Sequence, residues 1–473
     1  MIPTSHLHKI YRGHYGTLTD LYQLTMAYGY WKHGLHRRQA VFHLFYRRAP
    51  YGQSFVTTAG LALAVDYLQH LRFSVEDIQY LGSLRGGDGK ALFPETFLHY
   101  LQRFRFTGSV WAMPEGTAAF PFQPMLRIEA PLAEAQLVES ALLNLLNFSS
   151  LIATKAGRMT AAAQGEPILE FGLRRAQGLD GALTASRSAF IGGCAGSSNV
   201  WAGRWLGIPV KGTHAHSWVM VFEEELSAFS RYAEALPNNC TLLVDTYDTF
   251  EGVQNAITVG RQLRQHGHEL SGIRLDSGDL ATLSEQARKL LDEAGFTDTV
   301  IVASNDLDEE KITQLKAAGA PIALWGVGTR LVTGHDQPAL GGVYKLGALQ
   351  NEVGHWEDRI KLSEQAIKIT NPGRLQVRRY FENDQPVRDL LFHLDDEAHL
   401  PAGAHTLDLL QPIIREGELI YNFPSLTDIQ SYARSQWETF TSRMDKPYLY
   451  GNDSHLERRK QHLIAAGATS QTP

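Results

Sequence analysis

Apolar residues fall into two rhythms along the chain. Between residues 168 and 328, short unbroken apolar runs recur: ILEFG (168–172), IPVKGTH (208–214), CTLLVDT (240–246), SGIRLDSG (271–278), TVIVASN (299–305) and IALWGVG (322–328). Runs that do not alternate with polar residues mark strands buried on both faces. Between them lie segments with helical spacing, including TASRSAFIGG, SSNVWAGRWLG, SWVMVFEEELSAFSRYAEAL, FEGVQNAITVGRQLRQHG, DLATLSEQARKLLDEAG and DEEKITQLKAAG. One strand and one helix recur every ~30 residues, the length of a βα unit. A TIM-like barrel and an open doubly wound sheet both fit. No GxGxxG fingerprint follows an early strand, which favours the barrel.

Outside this series the pattern is mixed. LTDLYQLTMAYGYW (18–31) reads as a helix capped by Thr19 or Asp20, AVFHLFYR (40–47) as a strand, and GLALAVDYLQHLR and SVEDIQYLGSL as helices. SVWAMPEG, AAFPF and MLRIEAP read as short strands, and Pro131 opens one long predicted helix over 132–163. The C-terminal part returns to strands (GGVYKLGA, RLQVRRYF, PVRDLLFHL) and the helix TDIQSYARSQWETF, and ends in a polar GATSQTP expected to fray. The expected organisation is an α+β part over 1–130, an α/β barrel over 131–345 carrying the site, and a 346–473 part that packs with the first.

Composition narrows the function. The 473 residues are 44% hydrophobic and 20% charged, with a net charge of −6. That sign argues against diffuse binding to nucleic acid or an anionic membrane surface. Two cysteines, Cys194 and Cys240, exclude a disulfide framework and a four-cysteine zinc site, and fit a reducing, cytoplasmic setting. The start of the chain has no long apolar run, so no signal peptide is expected, and no window of ~18 apolar residues could span a bilayer.

The candidate chemistry clusters by position. FGLRR brings Arg174 and Arg175 to a strand end, VKGTHAHS brings Thr213, His214 and His216, and LLVDTYDT brings Asp245 and Asp248. IRLDSGD brings Arg274, Asp276 and Asp279, VASND brings Asn305 and Asp306, and WGVGT brings Gly326, Gly328 and Thr329. Active sites of parallel α/β folds form at that end of the strands. Any one such cluster is more often a helix cap, but six in register exceed what capping needs. Arg174, Arg175, Arg274 and Lys345 suit phosphate or carboxylate. The GxGT turn offers N–H groups to a phosphate. Asp245, Asp276 and Asp279 suit sugar hydroxyls or Mg²⁺, and Phe171 and Tyr22 suit a flat ring. Together they fit a phosphorylated sugar, a metal-bound diphosphate and an aromatic acid. The HxH pair His214/His216 also matches the first metal motif of barrel metallohydrolases, but the later strands end without the further His that such a site needs. A non-catalytic dimer that only binds phosphorylated ligands is the third reading.

LTDLYQLTMAYGYW, EFGLRRAQGLDGALTASRSAFIGG, GSSNV, GTHAHSWV, LVDTYDT, RLDSGDL, ASNDLDE and WGVGTRLVT, in this order, resemble the nicotinate phosphoribosyltransferase family from about Leu18 to past Lys345. The resemblance implies a type II phosphoribosyltransferase fold, an incomplete α/β barrel joined to a second domain built from both termini, usually as a homodimer. It implies that nicotinate and phosphoribosyl diphosphate give nicotinate mononucleotide and diphosphate in NAD biosynthesis. ATP hydrolysis would be coupled through a phosphohistidine, and Mg²⁺ would accompany the diphosphate and ATP. Motif by motif, His216 matches the phosphorylated histidine and Thr213 a nicotinate contact. Tyr22 resembles the ring that closes over the base, from this subunit or the other, and Phe171 the second ring of that stack. Arg274 resembles the partner of the base carboxylate or a nearby phosphate, Asp276 the ribose contact and Thr329 a phosphate contact. Arg174, Asp245, Asn305, Gly326 and Gly328 join them as candidate substrate contacts, Asp279 is a candidate for Mg²⁺ through the diphosphate, and His214 receives no role. Nicotinamide enzymes of the same fold carry an Asp in the turn matching GSSN (196–199). Ser198 and Asn199 stand there instead, which favours the acid. Quinolinate, with two carboxylates, would want more cations.

Overall fold

The computed structural model describes residues 14–396, 405–441 and 448–469. The stretch before His14, read above for a signal peptide, and Ser470–Pro473 lie outside them. The chain divides into two units, Met1–Leu151 with Ala339–Pro473, and Ile152–Pro338.

The second unit is the βα series. Six parallel strands run in the spatial order Gly196–Ser197, Ile168–Glu170, Leu324–Val327, Val300–Ala303, Gly272–Leu275, Thr241–Leu243. This is the chain order wrapped around on itself, because the last strand pairs with the first: Trp325 with Ile168, and Val327 with Glu170. A doubly wound sheet reverses its order at a switch point, whereas a barrel closes it. Closure is incomplete. The expected 208–214 strand is reduced to a single bridge between Val210 and Ser197, and no ladder joins it to 241–243. Leu242, Ile273, Val327 and the large Trp325 are fully buried, as their unbroken apolar runs require.

The helices between strands begin on side-chain caps. Asp248 accepts from Phe250 N and Glu251 N, Asp279 from Ala281 N, and Asp308 from Lys311 N. The single helix expected after His216 is two, His216–Met220 and Glu225–Ala235, because the chain leaves helical geometry between them.

In the first unit a seven-stranded sheet includes Gln39–Tyr46, which pairs antiparallel with Gly342–Gln350 on one side and with the central strand Leu126–Pro131 on the other. A four-stranded sheet carries Leu375–Glu382 and Gln385–His393 at its middle. The long helix expected over 132–163 is interrupted at Val138, giving Leu132–Leu137 and Glu139–Ala162. The barrel boundaries expected at 131 and 345 therefore move to 152 and 338. The Leu132–Leu137 helix packs on the Leu21–Lys32 helix and the 126–131 strand, and 342–350 belongs to the seven-stranded sheet. The expected fraying of GATSQTP is also corrected in part, since the last helix, Ser454–Thr469, runs through its first three residues. No helix among the described residues is long and apolar enough to cross a membrane.

Candidate active site

The C-terminal ends of four adjacent barrel strands meet around one cavity of about 230 Å³. Phe171, Arg174 and Arg175 follow the first strand, and Arg274 and Asp276 lie at the 272–275 strand. Ser304, Asn305 and Asp306 follow 300–303, and Gly326, Gly328 and Thr329 come from 324–327 and the turn after it.

Arg274 organises the polar wall. Its Nε donates to Ser304 Oγ at 2.9 Å, Nη1 to Thr213 Oγ1 at 3.2 Å and Nη2 to Asp276 Oδ1 at 2.9 Å. The Ser304 hydroxyl donates to the same Asp276 oxygen. The other oxygen, Asp276 Oδ2, lies 3.7 Å from His216 Nε2, and His216 Nδ1 lies 3.1 Å from Thr246 Oγ1. Burial raises the Asp276 carboxyl, but the Ser304 hydroxyl, the Arg274 guanidinium and His216 together outweigh it and hold it below its ordinary value. Arg274 also sits 5.7 Å from the centre of the Phe171 ring.

Thr213 and His216 thus reach the network although neither lines the cavity itself. Asn305 and Asp306 hold positive φ angles of 100° and 43°, a sparsely populated backbone that commonly marks functional turns. Gly326 and Gly328 line the cavity as expected, but Gly326 makes room rather than donating from a loop. It lies within the last strand, and a Cβ there would stand 2.7 Å from the Phe171 ring.

Several candidates sit elsewhere. Asp245 does not line the cavity: its Oδ2 accepts from Asp276 N at 2.7 Å and Ser277 Oγ at 2.8 Å, so it shapes the Asp276 turn. Asp248 and Asp279 are exposed helix caps, and the Asp279 oxygens are occupied by Ala281 N and Thr282 Oγ1. Tyr22, half-exposed on the 21–32 helix, and Lys345, half-buried on the 342–350 strand, belong to the first unit. Asn199 is fully buried and caps the 200–206 helix, so it is not a base contact; of the pair read for base choice, only Ser198 is partly exposed.

His214 answers the metallohydrolase reading. Its Nε2 accepts from Leu243 N at 3.1 Å, which puts the ring proton on Nδ1, 3.3 Å from the Ala215 carbonyl. The ring packs edge-on against Tyr232 at 4.8 Å, and burial lowers its pKa. Both nitrogens are spent, so His214 is structural.

Two residues were missed in the sequence. Ser304 was hidden beside the more conspicuous Asn305 and Asp306. Glu170, at the end of the first strand, is 1% exposed and accepts from Gly172 N, Ser186 Oγ (2.8 Å) and Ser197 Oγ (2.6 Å). A carboxylate closing a fully apolar strand was the available signal.

Known proteins can now be set beside this geometry. The nicotinate phosphoribosyltransferase N-terminal domain profile matches residues 17–147, and the nicotinate phosphoribosyltransferase family profile matches 167–361. The nicotinate phosphoribosyltransferase of Bacillus subtilis (strain 168) is 44% identical over 459 residues, covering 92% of each chain. The crystal structure of human nicotinic acid phosphoribosyltransferase superposes with a TM-score of 0.81 at 31% identity, over 94% of this chain and 99% of that one. A nicotinate-nucleotide pyrophosphorylase from Pyrococcus furiosus shares the fold, with a TM-score of 0.70 at 24% identity. Similarity of this extent, on the type II phosphoribosyltransferase fold, establishes that the chain belongs to the nicotinate phosphoribosyltransferase family.

Proposed function

We propose that the cavity binds the phosphoribosyl group of phosphoribosyl diphosphate beside nicotinate, and that ATP hydrolysis is coupled to the transfer through a phosphoryl group on His216. The observation that carries this reading is the continuous chain Thr213–Arg274–Ser304–Asp276–His216, whose three middle members line the cavity. The pyridine nitrogen attacks the ribosyl C1 as the bond from C1 to the diphosphate oxygen breaks, giving nicotinate mononucleotide and diphosphate. No protein nucleophile takes part in that step. The chain's work is positioning and charge: Arg174 and Arg175 face phosphate oxygens, and Asp276 supports the sugar as positive charge develops at C1. A base lying on Phe171 turns its carboxylate toward Arg274, which supports nicotinate over nicotinamide.

The ATP step belongs to His216. The Asp276 carboxylate favours the proton on Nε2, leaving the lone pair on Nδ1, where Thr246 now stands. Nδ1 forms the bond to the γ-phosphorus as the bond to ADP breaks, and water later cleaves the phosphohistidine. Mg²⁺ arriving with diphosphate or ATP would neutralise their charge. Such an ion keeps most of its waters and needs only one or two carboxylates, of which Asp306 at the cavity wall can supply one. The enzyme works as a cytoplasmic homodimer in this reading.

The test measures mononucleotide formation from nicotinate, nicotinamide and quinolinate, with and without ATP, alongside labelling by γ-labelled ATP. Nicotinate should be preferred by about 10²-fold or more. His216→Ala should keep slow synthesis but lose both ATP stimulation and the acid-labile label. Label that persists in His216→Ala, or equal turnover of nicotinate and nicotinamide, overturns the proposal.

A further inference from the structure

Glu170 is a buried carboxylate with no cation beside it: no Lys, Arg or His lies within ion-pair distance among the described residues. Such a group is costly to bury unless donors surround it. Here the donors come from three separate segments. Gly172 N is two residues on, at the start of the turn that carries Arg174 and Arg175. Ser186 is on the 178–191 helix, and Ser197 is on the neighbouring strand.

The network extends one step further. Asn199 donates its side-chain Nδ2–H to Ser186 Oγ at 3.1 Å and its backbone N–H to Ser197 Oγ at 2.9 Å. It also accepts from Trp201 N and Ala202 N at the start of the next helix. Asn199 therefore donates to both serines, and both serines face one carboxylate oxygen, a polarised chain in a dry interior. The Glu170 carbonyl accepts from Ser198 N at 2.9 Å, and Phe171 N donates to the Val327 carbonyl at 2.7 Å. The strand end beneath Phe171 is thus held from both sides.

We infer that Glu170 is a positioning residue, whose buried carboxylate fixes the Phe171–Arg175 segment against the Ser197–Asn199 turn and so sets the ring and both arginines at the cavity. The inference rests on the reading of that cavity as the phosphoribosyl site. Glu170 touches no substrate in this account and acts through groups that bind. Replacing one carboxylate oxygen by an amide sets a donor against either Gly172 N–H or the two serine hydroxyls, with nearly unchanged volume. The segment must then move, and its loss should fall on binding.

The experiment is steady-state kinetics of Glu170→Gln, Ser197→Ala and the double variant Arg174→Ala/Arg175→Ala, with melting curves for each. Glu170→Gln should raise the KM for phosphoribosyl diphosphate by roughly tenfold or more, with kcat within about threefold. Ser197→Ala should move the same constant in the same direction by less, and it carries the test if Glu170→Gln does not fold. A folded Glu170→Gln enzyme with unchanged KM, or with only kcat reduced, overturns the inference, as does a Ser197→Ala enzyme with unchanged KM. If the double arginine variant also leaves KM unchanged, the cavity reading itself has failed. If that variant raises KM while Glu170→Gln does not, the positioning role alone is wrong.

Discussion

Replacing Arg274 by Ala removes three hydrogen-bond donations at once, to Ser304, Thr213 and Asp276. Bonds from a charged group contribute about 1.5–3 kcal/mol each when measured singly, but they do not add when the partners can re-solvate. Here they can: the Asp276 side chain is 30% exposed, Thr213 is partly exposed, and Ser304 keeps Asp276 as an acceptor. The cost to folding should therefore be about 1–2 kcal/mol, a melting shift of roughly 2–8 °C for a unit of this size. The cost to catalysis should be larger. In the proposed reading the guanidinium meets the base carboxylate and fixes Asp276 for the transfer, and loss of such a preorganised donor takes about 2–4 kcal/mol from transition-state binding. That is a fall of roughly 30- to 900-fold in kcat/KM. Arg274→Lys should recover little of it, since one ammonium cannot span acceptors on three segments. The assay is mononucleotide formation per folded molecule, with melting followed in parallel. A variant that melts many degrees lower yet turns over normally per folded molecule refutes the reasoning and makes Arg274 a structural tie.

Gly326→Ala places a Cβ at 2.7 Å from the Phe171 ring, so the ring must swing away and the KM for the base should rise about tenfold, while Gly207→Ala, strained at φ 72° but with no atoms near its Cβ, should cost stability alone. His214→Ala leaves Leu243 N–H without its partner and a void beside Tyr232, so it should lose about 2–3 kcal/mol of stability while its folded fraction still takes label from ATP. Asp276 has a folded pKa below its unfolded value, so its contribution to stability is complete above about pH 4 and is lost as pH falls through the folded value. In Arg274→Ala the guanidinium no longer helps to hold the folded value down, so the fall in melting temperature on acidification below about pH 4 should be smaller than in the parent. Identical profiles between pH 3 and 6 would show that the pair is not coupled.

The strand series was legible because burial on both faces writes an unbroken apolar run, and 241–243, 272–275, 300–303 and 324–327 each fall inside one. What the pattern could not show was hydrogen-bond pairing. IPVKGTH has strand composition, yet among the described residues its only sheet contact is the Val210 bridge, because the barrel ends there. The long helix after Pro131 is periodic throughout, and its break at Val138 depends on packing rather than on any Pro or Gly. The Leu449–Asn452 strand and most of the Ser454–Thr469 helix went unread, the former being too short to carry a period. At the site, Arg274, Asp276 and Phe171 were readable as polar or aromatic residues at strand ends. Asp245, Asp248 and Asp279 have the same signature and turned out to shape turns and cap helices, since an Asp before a helix looks identical in either role. Glu170 stood out only as a carboxylate closing an apolar strand, and its role could not be read because its serine partners lie 16 and 27 residues away.

The pairing of 39–46 with 342–350 has a consequence for synthesis on the ribosome. The Gln39–Tyr46 strand is apolar along nearly its whole length, and one edge can be satisfied early by Leu126–Pro131. Its other edge waits for a partner about three hundred residues downstream, which at roughly 5–20 residues per second is a delay of about 15–60 s. Throughout that interval the inserted barrel is being made and can fold on its own local βα contacts, while the waiting strand presents unpaired N–H and C=O groups to other nascent chains. Stalled or truncated products ending before Gly342 should therefore associate through this one edge, and full-length yield should depend on chaperone capacity more than the stability of the finished enzyme would indicate.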